Sequence, residues 1–109
     1  MTTTVPSRVF VVQDDGQKNL LPALKFGSIE PLITGRDQQL YNTAPLVAEL
    51  KIKLASFTEN DYLMLVGDPA AIAICAMIAA QKTSGKLKLL KWDRQERTYY
   101  VLNVYVGSN

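Results

Sequence analysis

The chain has 109 residues, of which 48% are hydrophobic, with 12 Lys and Arg against 10 Asp and Glu. This length suits one compact core, so we expect a single domain over residues 1–109 that begins with a loose tail at residues 1–6. Because the chain has no histidine, Ser-His and Cys-His nucleophile pairs are excluded. No apolar run approaches the roughly 18 to 20 residues that a membrane span needs.

The first third of the chain predicts two strands. Residues 8–12 are rich in β-branched and aromatic side chains, and a turn at residues 14–16 follows them. A second strand is predicted over residues 28–33, where Pro31 cannot donate a ladder hydrogen bond, so we expect this strand at an edge. A turn at residues 34–37 ends it. The segment between the strands has no firm pattern, but four apolar residues could anchor it on the core: Leu20, Leu21, Leu24 and Phe26.

A helix is predicted over residues 44–56. Thr43 is the expected N-cap, and Pro45 lies in the first turn. Five apolar residues fall on one helical face: Leu46, Val47, Leu50, Leu54 and Phe57. Residues 49–54 also alternate like a strand, but the wider window and the capping residues favour the helix. The nearly all-apolar run 61–66 then predicts a central strand that is covered on both faces.

The Gly67-Asp68-Pro69 turn has two interpretations. Asp68 can cap a helix over residues 70–81, with Pro69 at its first position and Lys82 and Gly85 at its end. The alternative makes Gly67 and Asp68 a ligand turn, because free N–H groups at a helix start attract anions. Asp68 places a negative charge there, and the glycines of a nucleotide-binding loop are missing, so capping is favoured.

The last third predicts a β-hairpin from residues 86–92 and 98–106. Since residues 61–92 then form a strand, a helix and a strand, we expect a right-handed parallel crossover before the hairpin. The predicted fold class is mixed α/β: a mixed sheet of about five strands, in the order β-β-α-β-α-β-β, with two helices packed on it. Even the less apolar face of the last strand carries two tyrosines, which invites a partner.

Catalytic and metal chemistry find little support in this composition. The single cysteine, Cys75, lies in an apolar run and is expected to be a buried hydrophobe. The carboxylates are scattered, and we expect most of them to be solvated. We therefore predict no enzyme activity, no metal site and no cofactor.

Two stretches resemble a group of short bacteriophage-encoded proteins: VGDPAAIA at residues 66–73 and GKLKLLKWDR at residues 85–94. The strand at residues 8–12 fits this pattern too. The resemblance implies a viral accessory protein that acts in the cytoplasm of a bacterial host. An N-terminus without the basic and apolar segments of a secretory signal agrees with an intracellular protein.

Residues 82–97 carry a net charge of +4, whereas the first 81 residues sum to −2. A basic hairpin with aromatic rings could contact phosphates and stack bases. Its lysines could equally be the solvated face of a strand. The candidate residues for a partner or a nucleic acid are Lys88, Lys91, Trp92, Arg94, Arg97 and Tyr99.

The sequence thus predicts a non-enzymatic protein-binding module, forming a homodimer and engaging a host or viral protein, with no membrane association. Its support is the apolar surface offered by the helix at 70–81 and by the last strand, which a small monomer would not hide. One alternative is nucleic-acid binding by the hairpin at residues 86–105. A second alternative is small-ligand or nucleotide binding at the Gly67-Asp68 turn, since open α/β sheets bind ligands at such places.

Overall fold

The computed structural model describes residues 6–34 and 43–107. Its elements in chain order are β1 (Arg8–Asp14), a 3₁₀ helix (Leu21–Phe26), β2 (Ser28–Thr34), α1 (Ala44–Lys53), β3 (Tyr62–Met64), α2 (Pro69–Lys82), β4 (Lys86–Asp93) and β5 (Thr98–Tyr105). Residues 1–5 of the predicted tail and residues 35–37 of the predicted turn lie outside the described residues.

The five strands form one mixed sheet in the order β2-β1-β3-β4-β5. The first four strands run parallel, and β5 pairs antiparallel with β4. The predicted mixed α/β class, the edge position of the Pro31 strand, the parallel unit β3-α2-β4 and the C-terminal hairpin are all confirmed.

The two faces of the sheet are covered unequally. One face, here called the helix face, packs on α1 and α2 through residues such as Phe10, Leu63 and Leu87. The other, called the open face, carries Val9, Met64 and other side chains that pack with the 3₁₀ segment. The connection from β1 leads to β2 on one side of the sheet, and the connection from β3 leads to β4 on the other side. Because the two crossovers have the same handedness, they lie on opposite faces of the sheet.

The 3₁₀ helix explains why only some of the predicted anchors reach the core. Its period of three residues places Leu20, Ala23 and Phe26 on one side. Ala23 is buried there, and the other two are partly buried against the same cluster. Leu21 and Leu24 fall on the outer side and are exposed, so the prediction was wrong for these two residues.

Helix α1 begins after Thr43, as predicted, but the Thr43 side chain makes no capping hydrogen bond. Its backbone is already helical (φ −86°, ψ −13°), whereas a capping side chain normally needs an extended backbone. The helix ends at Lys53 rather than at residue 56. Leu54 and Phe57 are nevertheless buried, so the predicted apolar face is confirmed at both positions.

Helix α2 has the predicted start. Asp68 is extended (φ −64°, ψ 133°), and its carboxylate accepts a hydrogen bond from the Ala70 N–H at 2.8 Å. The capping interpretation of Asp68 is therefore confirmed. Cys75 is fully buried, as predicted, and burial raises the pKa of its thiol to about 11. Among the described residues, no helix is long and apolar enough to cross a membrane.

Candidate functional site

The β4–β5 hairpin holds most of the residues that the sequence singles out. Its register pairs Trp92 with Tyr99 and Lys88 with Asn103, so these four side chains share the open face. The rings of Trp92 and Tyr99 meet edge to face with their centroids 4.9 Å apart. The hairpin therefore brings an aromatic pair and a lysine to one side of the sheet.

The other predicted basic residues do not join this surface. Lys91 lies between two open-face residues of β4, so strand alternation directs it to the helix face. Arg94 and Arg97 belong to the exposed β4–β5 turn, where Arg97 has a positive φ of 53°. The Nζ atom of Lys88 lies 5.2 Å from the centroid of the Tyr62 ring. The basic side chains thus point in several directions instead of forming one phosphate-binding stripe.

Tyr99 is part of the core. It is 4% exposed, and its hydroxyl donates a hydrogen bond to the Asn19 carbonyl at 3.1 Å. Burial raises the pKa of this phenol. Trp92, which is 36% exposed, offers the accessible part of the pair.

A cleft of about 450 Å³ opens where β4 begins and β5 ends. Its lining includes two lysines, two amides, a carboxylate and an aromatic ring: Lys86, Lys88, Asn60, Asn103, Glu59 and Tyr105. Tyr105 is 67% exposed. Sequence reasoning did not select Lys86, Asn103 or Tyr105 as site residues. The alternation along two paired strands was the signal that could have grouped them with Lys88.

A second cleft, of about 420 Å³, lies at the carboxyl ends of β1 and β3. The chain leaves these neighbouring strands in opposite directions, the arrangement at which open α/β sheets commonly bind ligands. Gly67, Trp92 and Tyr99 line it together with Lys18. The structure thus places Gly67 of the predicted ligand turn in a cleft.

The N–H groups at the start of α2 are largely occupied. The Asp68 N–H donates to the Gln13 side-chain oxygen at 2.9 Å, and the Ala70 N–H donates to Asp68. Pro69 has no N–H. These bonds explain the shape of the Gly67-Asp68 turn without an anion, so ligand binding by Asp68 stays a prediction.

β5 forms a free edge of the sheet within the described residues. The Val106 N–H donates to the Gly85 carbonyl, and the Leu90 carbonyl accepts from Leu65 of β3. The antiparallel ladder then alternates so that even-numbered residues of β5 bond to β4. The backbone N–H and C=O groups that point away from the sheet belong to Tyr99, Val101, Asn103 and Tyr105.

An ion pair between a buried carboxylate and a partly exposed guanidinium is the charged feature that sequence reasoning missed. Asp61 is 2% exposed and lies 2.9 Å from the Arg8 guanidinium. It also accepts hydrogen bonds from the Arg8 backbone N–H and from the N–H and hydroxyl of Thr58. Burial opposes ionisation of Asp61, but the bonds from Arg8 and Thr58 outweigh it and lower the pKa of the carboxyl. All its partners belong to the fold, so the pair joins the starts of β1 and β3.

A family model described as phage Pam3 gp32-like protein matches residues 7–106. No curated protein and no solved structure matched the chain. Within residues 6–34 and 43–107, no group of three or more His, Cys, Asp or Glu side chains could hold a metal ion.

Proposed function

The chain belongs to the phage Pam3 gp32-like protein family, and from this premise we propose that it is a non-enzymatic protein-binding module. It acts on a host or viral protein in the cytoplasm of the infected bacterium. Its binding surface is the open face of the β4–β5 hairpin.

The observation that carries this proposal is the cleft beside Tyr105. There an exposed aromatic ring lies beside two lysines, Lys86 and Lys88, on the open face of the sheet. Among the described helices, only the 3₁₀ helix packs on this face. Aromatic side chains with a polar rim are typical of protein-recognition surfaces. The partner segment that fits this surface carries an apolar side chain for the cleft and acidic groups for the lysines.

The state of Asp61 supports a binding role rather than a catalytic one. A general acid or base needs a carboxyl that reaches a substrate. Asp61 has both oxygens engaged by Arg8 and Thr58, and its pKa is lowered rather than raised toward neutrality. Its properties are those of a structural ion pair.

The test compares two double variants in affinity capture from lysate of an infected host. Tyr105→Ser with Lys86→Glu alters the proposed surface. Ile52→Ser with Lys51→Glu makes the same kinds of change on α1, where both side chains are exposed. We expect one stoichiometric protein to bind the wild-type chain and the α1 variant, and to be lost from the hairpin variant.

Two outcomes would contradict the proposal. Equal capture by both variants would place the binding surface elsewhere. Retention that ends with nuclease treatment and falls steeply with salt would instead favour the nucleic-acid hypothesis, because release of counterions from phosphates gives that salt dependence.

Small-ligand binding is the second candidate function, favoured by the position of the 420 Å³ cleft at the end of β1 and β3. Trp92 lines this cleft and is the single tryptophan of the chain, so a ligand there should change its fluorescence. A titration with nucleoside monophosphates tests this candidate. An unchanged spectrum up to millimolar concentrations would exclude nucleotides as the ligand class.

A further inference from the structure

We propose that the free edge of β5 pairs with the β5 edge of a second copy of this chain, in an antiparallel two-fold arrangement that joins two five-stranded sheets into one. This inference goes beyond the proposed function, because it depends on the backbone groups and the uncharged sequence of the β5 edge, whereas partner capture depends on the side chains that line the 450 Å³ cleft. Either proposal can fail without the other.

The register of this pairing follows from which backbone groups face outward. Those of Tyr99, Val101, Asn103 and Tyr105 point away from β4. A two-fold axis at Leu102 sets Val101 opposite the partner's Asn103 and Tyr99 opposite the partner's Tyr105. All four outward-facing residues then exchange N–H···O=C bonds with an outward-facing residue of the second copy. A register shifted by one residue would set outward-facing residues against residues already bonded to β4.

The same register brings half-exposed apolar side chains together on the helix face. Leu102 lies opposite the partner's Leu102, and Tyr100 lies opposite the partner's Val104. Both Leu102 and Tyr100 are exposed in the single chain. Cross-strand apolar pairs of this kind stabilise antiparallel sheets. Pairing therefore covers apolar area at the same time as it satisfies the edge backbone.

The chemistry of the strand favours a second copy as the occupant. β5 reads TYYVLNVY and contains no charged residue and no proline, so antiparallel self-pairing sets no like charges opposite each other. Long uncharged edges are normally protected by lysine, proline or a covering element. The opposite edge, β2, carries Glu30 and Pro31 and so resists pairing. A pair of β5 edges leaves only the protected β2 edges at the two ends, and the assembly closes as a dimer.

A cysteine at the proposed axis tests the register directly. In Leu102→Cys, the two thiols would face each other across a non-hydrogen-bonded pair, where Cα atoms lie about 4.5 Å apart and a disulfide can form. Cys75 is buried and does not compete. The matched control is Ile52→Cys on α1, at a residue that is 76% exposed. We expect mild oxidation to cross-link nearly all of the Leu102→Cys chain and little of the control.

A charge at the same position tests the association without oxidative cross-linking. Leu102→Lys sets two ammonium groups opposite each other, and the control Ile52→Lys makes the same change on α1. In the ultracentrifuge, the wild-type chain and the control should sediment as dimers at micromolar concentration, nearly independent of moderate salt. Leu102→Lys should sediment as a folded monomer.

Three outcomes would overturn the inference. These are a monomeric wild-type chain, a Leu102→Lys variant that stays dimeric, and cross-linking of the control as extensive as that of Leu102→Cys. The cysteine variant keeps the test decisive if the lysine variant fails to fold.

Discussion

The two halves of the sheet, one with β2, β1 and β3 and the other with β4 and β5, differ in how many of their polar groups bond within the chain. We call these halves the two sides of the sheet. On the β2-β1-β3 side, Asp61 holds the start of β1 through Arg8, and Gln13 holds the turn after β3 through the Asp68 N–H. On the β4–β5 side, Tyr105 is exposed, Trp92 is partly exposed, and the outer strand is uncharged. The first side, here called the stabilising side, thus holds the monomer together, whereas the second, called the recognition side after its proposed role, leaves aromatic rings and a backbone edge exposed.

Asp61→Ala should cause the largest loss of stability and so gives the strongest test of this division. The substitution leaves the Thr58 N–H without its acceptor, and the partly exposed Arg8 guanidinium keeps only its hydrogen bonds to Ser56. Losing hydrogen bonds to a charged group in this way costs about 1.5–3 kcal/mol of unfolding free energy. Urea denaturation measures the loss, which should leave association of the folded fraction unchanged. A change below about 1 kcal/mol would show that the ion pair is not a main support of the fold.

Acidification should act through the same carboxyl, with a smaller effect, because protonation removes the charge but keeps the side chain. The pKa of Asp61 is lowered in the folded state, so its contribution is complete above the unfolded value of about 4 and is lost as the pH falls through the folded pKa. Urea midpoints measured between pH 7 and pH 2 should fall at the acid end. Asp61→Asn should flatten that fall, and an equally steep curve for this variant would assign the acid sensitivity to other carboxyls.

The cap of α2 allows a finer comparison within the stabilising side. Asp68→Ala removes the acceptor for the Ala70 N–H and should cost on the order of 1 kcal/mol, whereas Asp68→Asn keeps a side-chain oxygen and should be tolerated. Thermal melts of the two variants measure the difference. If Asp68→Asn kept full stability but lost partner binding, the turn would be a binding site as well as a cap.

Variants on the recognition side should have the smallest effect on stability. Tyr105→Ser with Lys86→Glu changes exposed side chains, and such changes usually stay within about 0.5 kcal/mol. The urea midpoint of this variant, measured at the protein concentration used for the wild-type chain, should therefore be nearly unchanged while capture is lost. A large drop in stability would mean that the open face also supports the monomer.

Local signals explain which parts of the structure the sequence predicts well. The hairpin, the crossover, the Asp68 cap and the edge strand with Pro31 each depend on neighbouring residues. The Arg8–Asp61 pair joins residues 53 positions apart, and Gln13 reaches Asp68 across 55 positions. Hydrophobic periodicity in the sequence does not indicate such distant partners. Leu21 and Leu24 were misassigned because six residues of 3₁₀ helix are too few to show a period of three.

The candidate site residues also divide into those that local sequence signals predict and those that depend on contacts between distant residues. Trp92 and Lys88 were selected because charge and aromatic character stand out in a sequence. Tyr105 and Asn103 were missed, since their role depends on the register that sets them beside Lys86 and Lys88. Tyr99 was selected as a binding residue, but its burial at 4% exposure and the hydrogen bond from its hydroxyl to the Asn19 carbonyl place it in the core.

The contact between Gln13 and Gly67 also bears on how this sequence can evolve. Gly67 has a φ of +129°, and a Cβ there would collide with the Gln13 side chain. The atom nearest to that Cβ is the Cβ of Gln13, which every residue except glycine carries, so a shorter side chain at position 13 would not make room and would leave the Asp68 N–H without its acceptor. The positive φ also disfavours any side chain at position 67, so a shorter side chain at position 13 cannot compensate for the loss of this glycine. We therefore expect position 67 to stay glycine among inherited versions of this gene, even where the side chain at position 13 has changed.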